Sequence, residues 1–139
     1  MKKLIKILGI TPDAINMMSP NIPFLVMPAN LLRSSVEILI KEDQNVYLSA
    51  IIGQEWNRKI DLMYFFVGEQ EIILRFELPL DHPSIDSISD ILIGAAFYER
   101  ECHEMLGIQF KGLSDSRNLL LPIENHQFPL RETKPRGES

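Results

Sequence analysis

The middle of the chain alternates between apolar and polar residues with the period of a β-strand. Apolar residues take every second position from Ile60 to Phe66 and again from Ile72 to Leu78, and a β-branched and aromatic run, Val46–Ile52, precedes them. Such alternation is typical of strands with one buried face. The connections between these runs are short, which favours antiparallel neighbours. The sequence therefore predicts an antiparallel β-meander from Val46 to Pro79.

Two further segments carry apolar residues at helical spacing. The first follows Pro28 and predicts a helix over 31–41, with Asn30 as its candidate N-cap. Ser87 followed by Asp90 is typical of a helix start and Gly107 of a helix end, so a second helix is predicted over 88–106. We expect both amphipathic helices to cover one face of the sheet.

The two ends of the chain have less regular patterns. Residues 1–28 are predicted to be an irregular N-terminal part that holds a short helix, Met1–Leu8, and a short strand, Phe24–Met27. Residues 108–139 contain prolines and many large apolar side chains but no helical period, which predicts an extended tail that binds a partner. The predicted fold class is α+β, with a folded domain over 1–107 and a tail over 108–139.

Composition narrows the classes of function. A chain of 139 residues makes one ordinary domain, and its net charge of -5 disfavours binding to DNA or RNA. The single cysteine, Cys102, excludes an intrachain disulfide, and with three histidines it gives too few ligands for an iron–sulfur cluster or a closed zinc site. We therefore expect no cofactor or metal in this chain.

The apolar runs are too short to predict a membrane helix. The longest of them, Leu62–Val67, is far below the ~20 residues that span a bilayer. The opening MKKLIKILGI is interrupted by Lys6 and lacks a small-residue cleavage site, so it does not predict a signal peptide. A cytoplasmic protein is expected, with any membrane association made through a partner.

A charged cluster, Glu99–Glu104, ends the second predicted helix. Glu99 and His103 stand four residues apart on one helix face, so they could form the acid–base pair of a small enzyme. The alternative is a solvated charged face on which Arg100 pairs with carboxylates while Cys102 packs as a small apolar group. The common nucleophile, phosphate-binding and zinc motifs are absent from the sequence.

The same cluster belongs to a longer motif. The run AFYERE at 96–101, followed by MLGI at 105–108, Phe110 and Gly112, resembles the motif of the 30 kDa subunit of respiratory complex I, also called the C subunit of NADH dehydrogenase. Asp115, Arg117, Pro122 and the PLR run at 129–131 keep the family spacing further along. Weaker likeness extends upstream through the GQE run at 53–55, so the resemblance covers roughly residues 24–136.

Four departures from the family pattern fall in segments that the resemblance places near partner subunits. Glu104 replaces the usual Asp, Leu113-Ser114 the usual His-Pro, Asn125 the usual Trp, and Glu132 the usual Lys. These changes suggest a relative of the complex I subunit. One such relative is the equivalent subunit of a membrane-bound energy-converting [NiFe] hydrogenase.

The resemblance implies a structural subunit that is not catalytic by itself. Family members lie in the hydrophilic arm of a membrane-bound respiratory oxidoreductase, peripheral to the cytoplasmic face of the cell membrane, and clamp the large catalytic subunit of the 49 kDa or [NiFe] hydrogenase type. A small iron–sulfur subunit is a further expected partner. The iron–sulfur clusters and the NiFe or quinone site are expected in those partners.

The resemblance and the helix-end charges together give a predicted partner interface. A soluble assembly factor and the small Glu99/His103 enzyme stay open as alternatives. The predicted interface residues are Glu99, Arg100, Glu101, Glu104, Arg117, Pro122, Phe128, Leu130 and Arg131.

Overall fold

The computed structural model describes residues 15–19, 22–92 and 94–113. A larger sheet and a two-stranded sheet are combined with two helices. The helices are α1 (Leu32–Glu42), which follows a 3-10 turn at Ala29–Leu31, and α2 (Ala95–Leu106). The strands are β1 (Ile15–Ser19), β2 (Ile22–Met27), β3 (Tyr47–Trp56), β4 (Lys59–Val67), β5 (Ile72–Pro79), β6 (Ser84–Asp86) and β7 (Gln109–Lys111).

The predicted meander is confirmed as three neighbouring strands of the larger sheet. Strand β4 pairs antiparallel with β3 on one side and with β5 on the other. A two-residue turn joins β3 to β4, and its residues Asn57 and Arg58 have φ values of 52° and 61°. Two left-handed residues in succession give the turn whose twist matches that of a β-hairpin. The register is therefore fixed from the hairpin tip, where Trp56 pairs with Lys59.

The sheet is larger and more mixed than the meander alone. Its strand order is β1-β2-β5-β4-β3, with β2 parallel to β5 and β1 antiparallel to β2. The predicted strand over Phe24–Met27 is confirmed, although it begins two residues earlier, at Ile22. The prediction of irregular chain before it was wrong for Ile15–Ser19, which form β1. Prolines 20 and 23 break the apolar alternation there, so the pairing that makes these residues strands comes from the rest of the sheet.

One face of the sheet forms the core. Alternate side chains of β4 and β5 pair across this face, for example Leu62 with Phe76 and Tyr64 with Leu74, and all four are fully buried. Helix α1 adds Leu32, Val36 and Leu39, and α2 adds Ala95, Cys102 and Leu106, to the same cluster of buried residues. The α+β class, with both helices on one face of the sheet, is thus confirmed.

Helix α2 begins seven residues later than predicted. The segment before it forms a turn in which the N–H groups of Ile91 and Leu92 donate to the Ile88 carbonyl. Ser87 and Asp90, the predicted capping pair, bind Glu99 and Arg33 instead. The predicted end is correct, because Gly107 is left-handed at φ 75° and its N–H donates to the His103 carbonyl.

The predicted boundary between domain and tail also moves. Residues Gln109–Lys111 form β7, which pairs parallel with β6, and Ile108 and Phe110 are buried. The folded part therefore includes the first residues of the predicted tail. The remainder of that tail, and the predicted helix Met1–Leu8, lie outside the described residues.

The C-terminal half of α2 packs closely on β3 at Gly53. A Cβ atom placed on Gly53 would lie 2.5 Å from Leu106 Cδ1 and 3.4 Å from Leu62 Cδ1. Both contacts are shorter than, or at the lower limit of, ordinary van der Waals distances. The absent side chain at position 53 thus lets the helix approach the sheet.

We expect Gly53→Val to lower the free energy of unfolding by about 1–3 kcal/mol, because the branched side chain must displace Leu106. Urea denaturation followed by far-UV circular dichroism measures the change. Gly94→Val is the matched control, since a Cβ at Gly94 has no neighbour within 4 Å, and it should stay within about 0.5 kcal/mol of wild type. Equal losses in the two variants would contradict close packing at Gly53.

Candidate functional site

Glu99 is the most deeply buried charged residue of the family motif. It lies on the inward side of α2 with no exposed surface. One carboxylate oxygen, Oε1, accepts hydrogen bonds from Ser87 Oγ at 2.7 Å and from the Ile88 N–H at 3.2 Å. Burial raises the pKa of Glu99, and these two hydrogen bonds oppose part of the rise. Glu99 thus joins the start of α2 to the turn that follows β6.

A continuous set of polar contacts extends from this turn to α1. Arg33, on α1, donates to both carboxylate oxygens of Asp90 at 2.8 Å and to the Ser87 carbonyl at 2.7 Å. The hydrogen bond from Arg33 lowers the pKa of Asp90. Because Ser87 binds Arg33 through its carbonyl and Glu99 through its hydroxyl, it connects the two helices. We call Arg33, Ser87, Asp90 and Glu99 the helix clamp.

Tyr64 and Cys102 lie in the core close to the helix clamp. Burial raises the pKa of the Tyr64 hydroxyl well above its ordinary value, and the negative charge of Glu99 adds to the rise. Burial also raises the pKa of the Cys102 thiol to about 12. The thiol lies 3.6 Å from the Ile51 carbonyl of β3. Among the described residues, neither the Tyr64 hydroxyl nor Glu99 Oε2 has a hydrogen-bond partner.

The structure does not bring Glu99 and His103 together as an acid–base pair. Glu99 is directed to Ser87, whereas His103 Nδ1 lies 2.9 Å from the Ile108 carbonyl at the other end of α2. His103 thereby connects the helix end to the residue before β7. The two side chains therefore hold different ends of α2 against neighbouring segments, Glu99 through Ser87 and His103 through Ile108.

The predicted interface residues of α2 fall into two groups. Glu99 and Glu104 are buried within this chain, 0% and 2% exposed, and their predicted contact with a partner stays a prediction. Arg100 and Glu101 are half-buried, and Arg100 Nε donates to the Ala96 carbonyl at 3.4 Å. The other predicted interface residues lie outside the described residues; they are Arg117, Pro122, Phe128, Leu130 and Arg131.

The motif also places an aromatic side chain on the surface. Phe97 is 51% exposed and packs edge to face on Tyr98, with ring centroids 5.9 Å apart. Gly94, one turn earlier, is exposed and leaves open space beside it. We call Gly94, Phe97 and Tyr98 the Phe97 surface. Phe97 lies outside the buried helix face of Ala95, Cys102 and Leu106. An apolar residue outside the buried face is a sequence signal of a contact surface, and Phe97 was not among the predicted interface residues.

Neither a metal site nor a membrane helix is found in the part of the chain that the structure describes. In the ranges 15–19, 22–92 and 94–113, no group of three or more His, Cys, Asp or Glu side chains is placed to hold a metal ion. No helix in the same ranges has the length and apolar character needed to cross a membrane.

The mixed sheet with two helices on one face is an α+β fold that is also found in other proteins. The family described as the 30 kDa subunit of respiratory-chain NADH dehydrogenase matches residues 25–139, and the chain belongs to this family. A chain in an archaeal respiratory membrane complex, the membrane-bound sulfane sulfur reductase, has the same fold. That similarity has a TM-score of 0.74 at 20% identity and covers 94% of this chain and 80% of the other.

Two relatives differ in how much of their own length matches this chain. The C subunit of NADH-quinone oxidoreductase from Moorella thermoacetica is 28% identical over 118 residues, which cover 81% of this chain and 79% of the relative. The C/D subunit of NADH-quinone oxidoreductase from Rhodopseudomonas palustris is 37% identical over 65 residues, which cover 47% of this chain. The matched part is only 11% of that C/D polypeptide.

Proposed function

We propose that the chain is a cofactor-free structural subunit of the hydrophilic arm of a membrane-bound respiratory oxidoreductase. In this proposal it anchors the large catalytic subunit, and the iron–sulfur clusters and the NiFe or quinone site belong to its partners. Membership of the 30 kDa subunit family over residues 25–139 is the observation that carries the proposal. Both the NADH:quinone type and the energy-converting [NiFe] hydrogenase type are consistent with this membership.

The C/D relatives support the choice of partner. In the Rhodopseudomonas palustris protein, a segment similar to this chain is joined to further sequence in one C/D polypeptide. Segments that one polypeptide joins are held close together, which favours contact between their folded parts. We therefore propose a D-type subunit as the main partner, with a small iron–sulfur subunit as a second one. Placement at the cytoplasmic face of the membrane follows from the same proposal.

The Phe97 surface is the described part of the chain that best fits this role. Exposed aromatic residues are enriched at the centres of protein interfaces. The helix clamp holds the base of α2, so Phe97 is presented on a rigid helix start. The tail residues Arg117 and Arg131 are proposed to add bidentate contacts to carboxylates of the same partner.

The test of this proposal is affinity purification of the tagged chain from native membranes. We expect Phe97→Asp to reduce the co-purified large subunit at least tenfold, because the variant places a carboxylate in an apolar contact. Ser34→Asp adds the same charge at an exposed position of α1 and is the matched control. Full stoichiometry in the Phe97→Asp complex would place the anchor elsewhere.

A further inference from the structure

The outer face of the sheet carries a second exposed apolar region. Four large apolar side chains are exposed in the described part of the chain, and three of them lie on β3: Tyr47 at 56%, Ile52 at 48% and Trp56 at 62%. The register places all three on the same face, since they pair with Val67, Met63 and Lys59 of β4. This face is opposite to Gly53, on which α2 packs. It is therefore separate from the Phe97 surface.

The position of β3 in the sheet adds to its exposure. In the order β1-β2-β5-β4-β3, it is an edge strand, and it is ten residues long. Long edge strands with apolar side chains are normally covered or interrupted by charges. Strand β3 has a register irregularity only between Leu48 and Ala50, so its half nearer Trp56 is regular.

The hairpin tip combines the largest of these side chains with positive charge. The tip is Trp56, Asn57, Arg58 and Lys59, all exposed, and Lys59 reaches Glu77 at 3.5 Å. The left-handed φ values of Asn57 and Arg58 fix the two-residue turn, so Trp56 and Arg58 are both presented on one rigid loop. Tryptophan and arginine are the residues most often found at interface hot spots.

Charge identifies the kind of partner that fits this tip. The chain has a net charge of -5, yet its hairpin tip carries Arg58 and Lys59 and no acidic residue. Attraction between opposite charges favours a partner whose surface is acidic at the contact. An anionic lipid surface would attract the tip but repel the acidic remainder of the chain. The observations therefore favour a protein over a membrane.

We propose that the β3–β4 hairpin tip docks into an acidic-rimmed apolar pocket of a neighbouring subunit, with Trp56 filling the pocket and Arg58 pairing with a carboxylate at its rim. This inference rests on the proposed function in so far as the chain is a subunit of a complex. It goes beyond that function by assigning a second interface on the opposite face of the sheet.

Zero-length carbodiimide coupling in the native complex tests the rim carboxylate. The complete tagged chain carries Arg58→Lys, which places an amine at position 58 that can couple only to a carboxylate in direct contact. We expect mass spectrometry to find position 58 joined to an Asp or Glu of another subunit. Arg58→Gln is the control, because it keeps Lys59 and removes only the amine at position 58.

Trp56→Ala, added to Arg58→Lys, tests the apolar pocket. Truncating a hot-spot tryptophan should reduce the coupling yield from position 58 at least ~10-fold, whereas Trp56→Phe should keep most of it. Unchanged thermal unfolding of the isolated variants would show that the exposed side chain was removed without damage to the fold. An undiminished coupling yield in Trp56→Ala would overturn the docking of the indole.

Other outcomes overturn the inference in distinguishable ways. Coupling from position 58 only within the chain, or to a second copy of it, rules out the acidic partner. Flotation of the full chain with phosphatidylglycerol vesicles that is lost in Trp56→Ala would assign the tip to a membrane. An intact complex without coupling from position 58 overturns this inference alone, whereas a chain that purifies without any partner overturns the proposed function as well.

Discussion

Replacing Glu99 by alanine should lower the free energy of unfolding by about 2–4 kcal/mol, because it removes an acceptor shared by two buried donors. Ser87 Oγ and the Ile88 N–H both donate to Glu99 Oε1. Without that oxygen the Ile88 N–H stays buried and loses its acceptor, whereas Ser87 Oγ keeps its contacts with the hydroxyl and the backbone N–H of Ser89. The lost carboxymethyl group also leaves a cavity near Tyr64, whose hydroxyl feels the charge of Glu99. Urea denaturation at neutral pH measures the loss.

Glu99→Gln separates the role of shape from the role of charge. The glutamine amide oxygen can accept both hydrogen bonds, so we expect a loss below about 1.5 kcal/mol. Glu101→Ala is a second control, since it removes a carboxylate from a half-buried position of the same helix. If Glu99→Ala were no more harmful than Glu101→Ala, the helix clamp would contribute nothing to stability.

The difference in stability between wild type and Glu99→Gln should change with pH in one direction. Burial raises the pKa of Glu99 in the folded chain above its ordinary value of 4.5. The folded state then binds more protons than the unfolded state between the two pKa values, so this residue contributes stability that is lost as pH rises through that interval. The stability of wild type relative to Glu99→Gln should therefore be greatest below pH 4.5 and fall as pH increases. A difference that rises with pH would contradict the raised pKa.

The sequence predicted those elements whose signals are local. The alternation from Ile60 to Leu78 has the period of a strand, and the apolar spacing after Pro28 has the period of a helix. Each pattern arises because one face of the element is buried, so it can be read from a short stretch of sequence. The parallel pairing of β2 with β5 has no comparable signal, because the two strands are far apart in sequence. Strand β1 is formed for the same long-range reason.

The burial of Glu99 marks a second limit of prediction from sequence. A glutamate between Tyr98 and Arg100 on a helix is normally solvated, so its burial could not be inferred from spacing alone. The burial is offset by the two donors in the segment before α2, and one of them is Ser87, which the sequence assigned to a helix start. The same tertiary contact therefore involves both features that the sequence did not predict, the late start of α2 and the buried Glu99.

The family resemblance was more informative about the motif than about its orientation. It identified the helix that contains Phe97 and Glu99, and the comparisons confirm the family. The resemblance did not predict that Glu99 and Glu104 are buried while Phe97 is exposed. A sequence motif lists residues in order and does not say which side of a helix each one occupies. Only the packing of α2 against β3 assigns each position to a side of the helix.

The Cys102 thiol should react with iodoacetamide at pH 8 at least ~10³-fold more slowly in the folded chain than in urea-unfolded chain. Its pKa of about 12, against an ordinary 9.0, makes the thiolate about a thousandfold rarer. The side chain is also only 5% exposed. Labelling rates followed by mass spectrometry test this, with Ser49→Cys in a Cys102→Ala background as an exposed control on the neighbouring strand.

The same labelling rate reports on the helix clamp. Cys102 lies three residues after Glu99, between α2 and the Ile51 carbonyl of β3, so reagent reaches it when α2 separates from the sheet. Glu99→Ala should accelerate the labelling of Cys102 by the factor that corresponds to its loss of stability, about 30-fold or more for 2 kcal/mol. The exposed control at position 49 should not change. If Glu99→Ala lowered stability but left the Cys102 rate unchanged, the thiol would be exposed by a motion that does not involve the clamp.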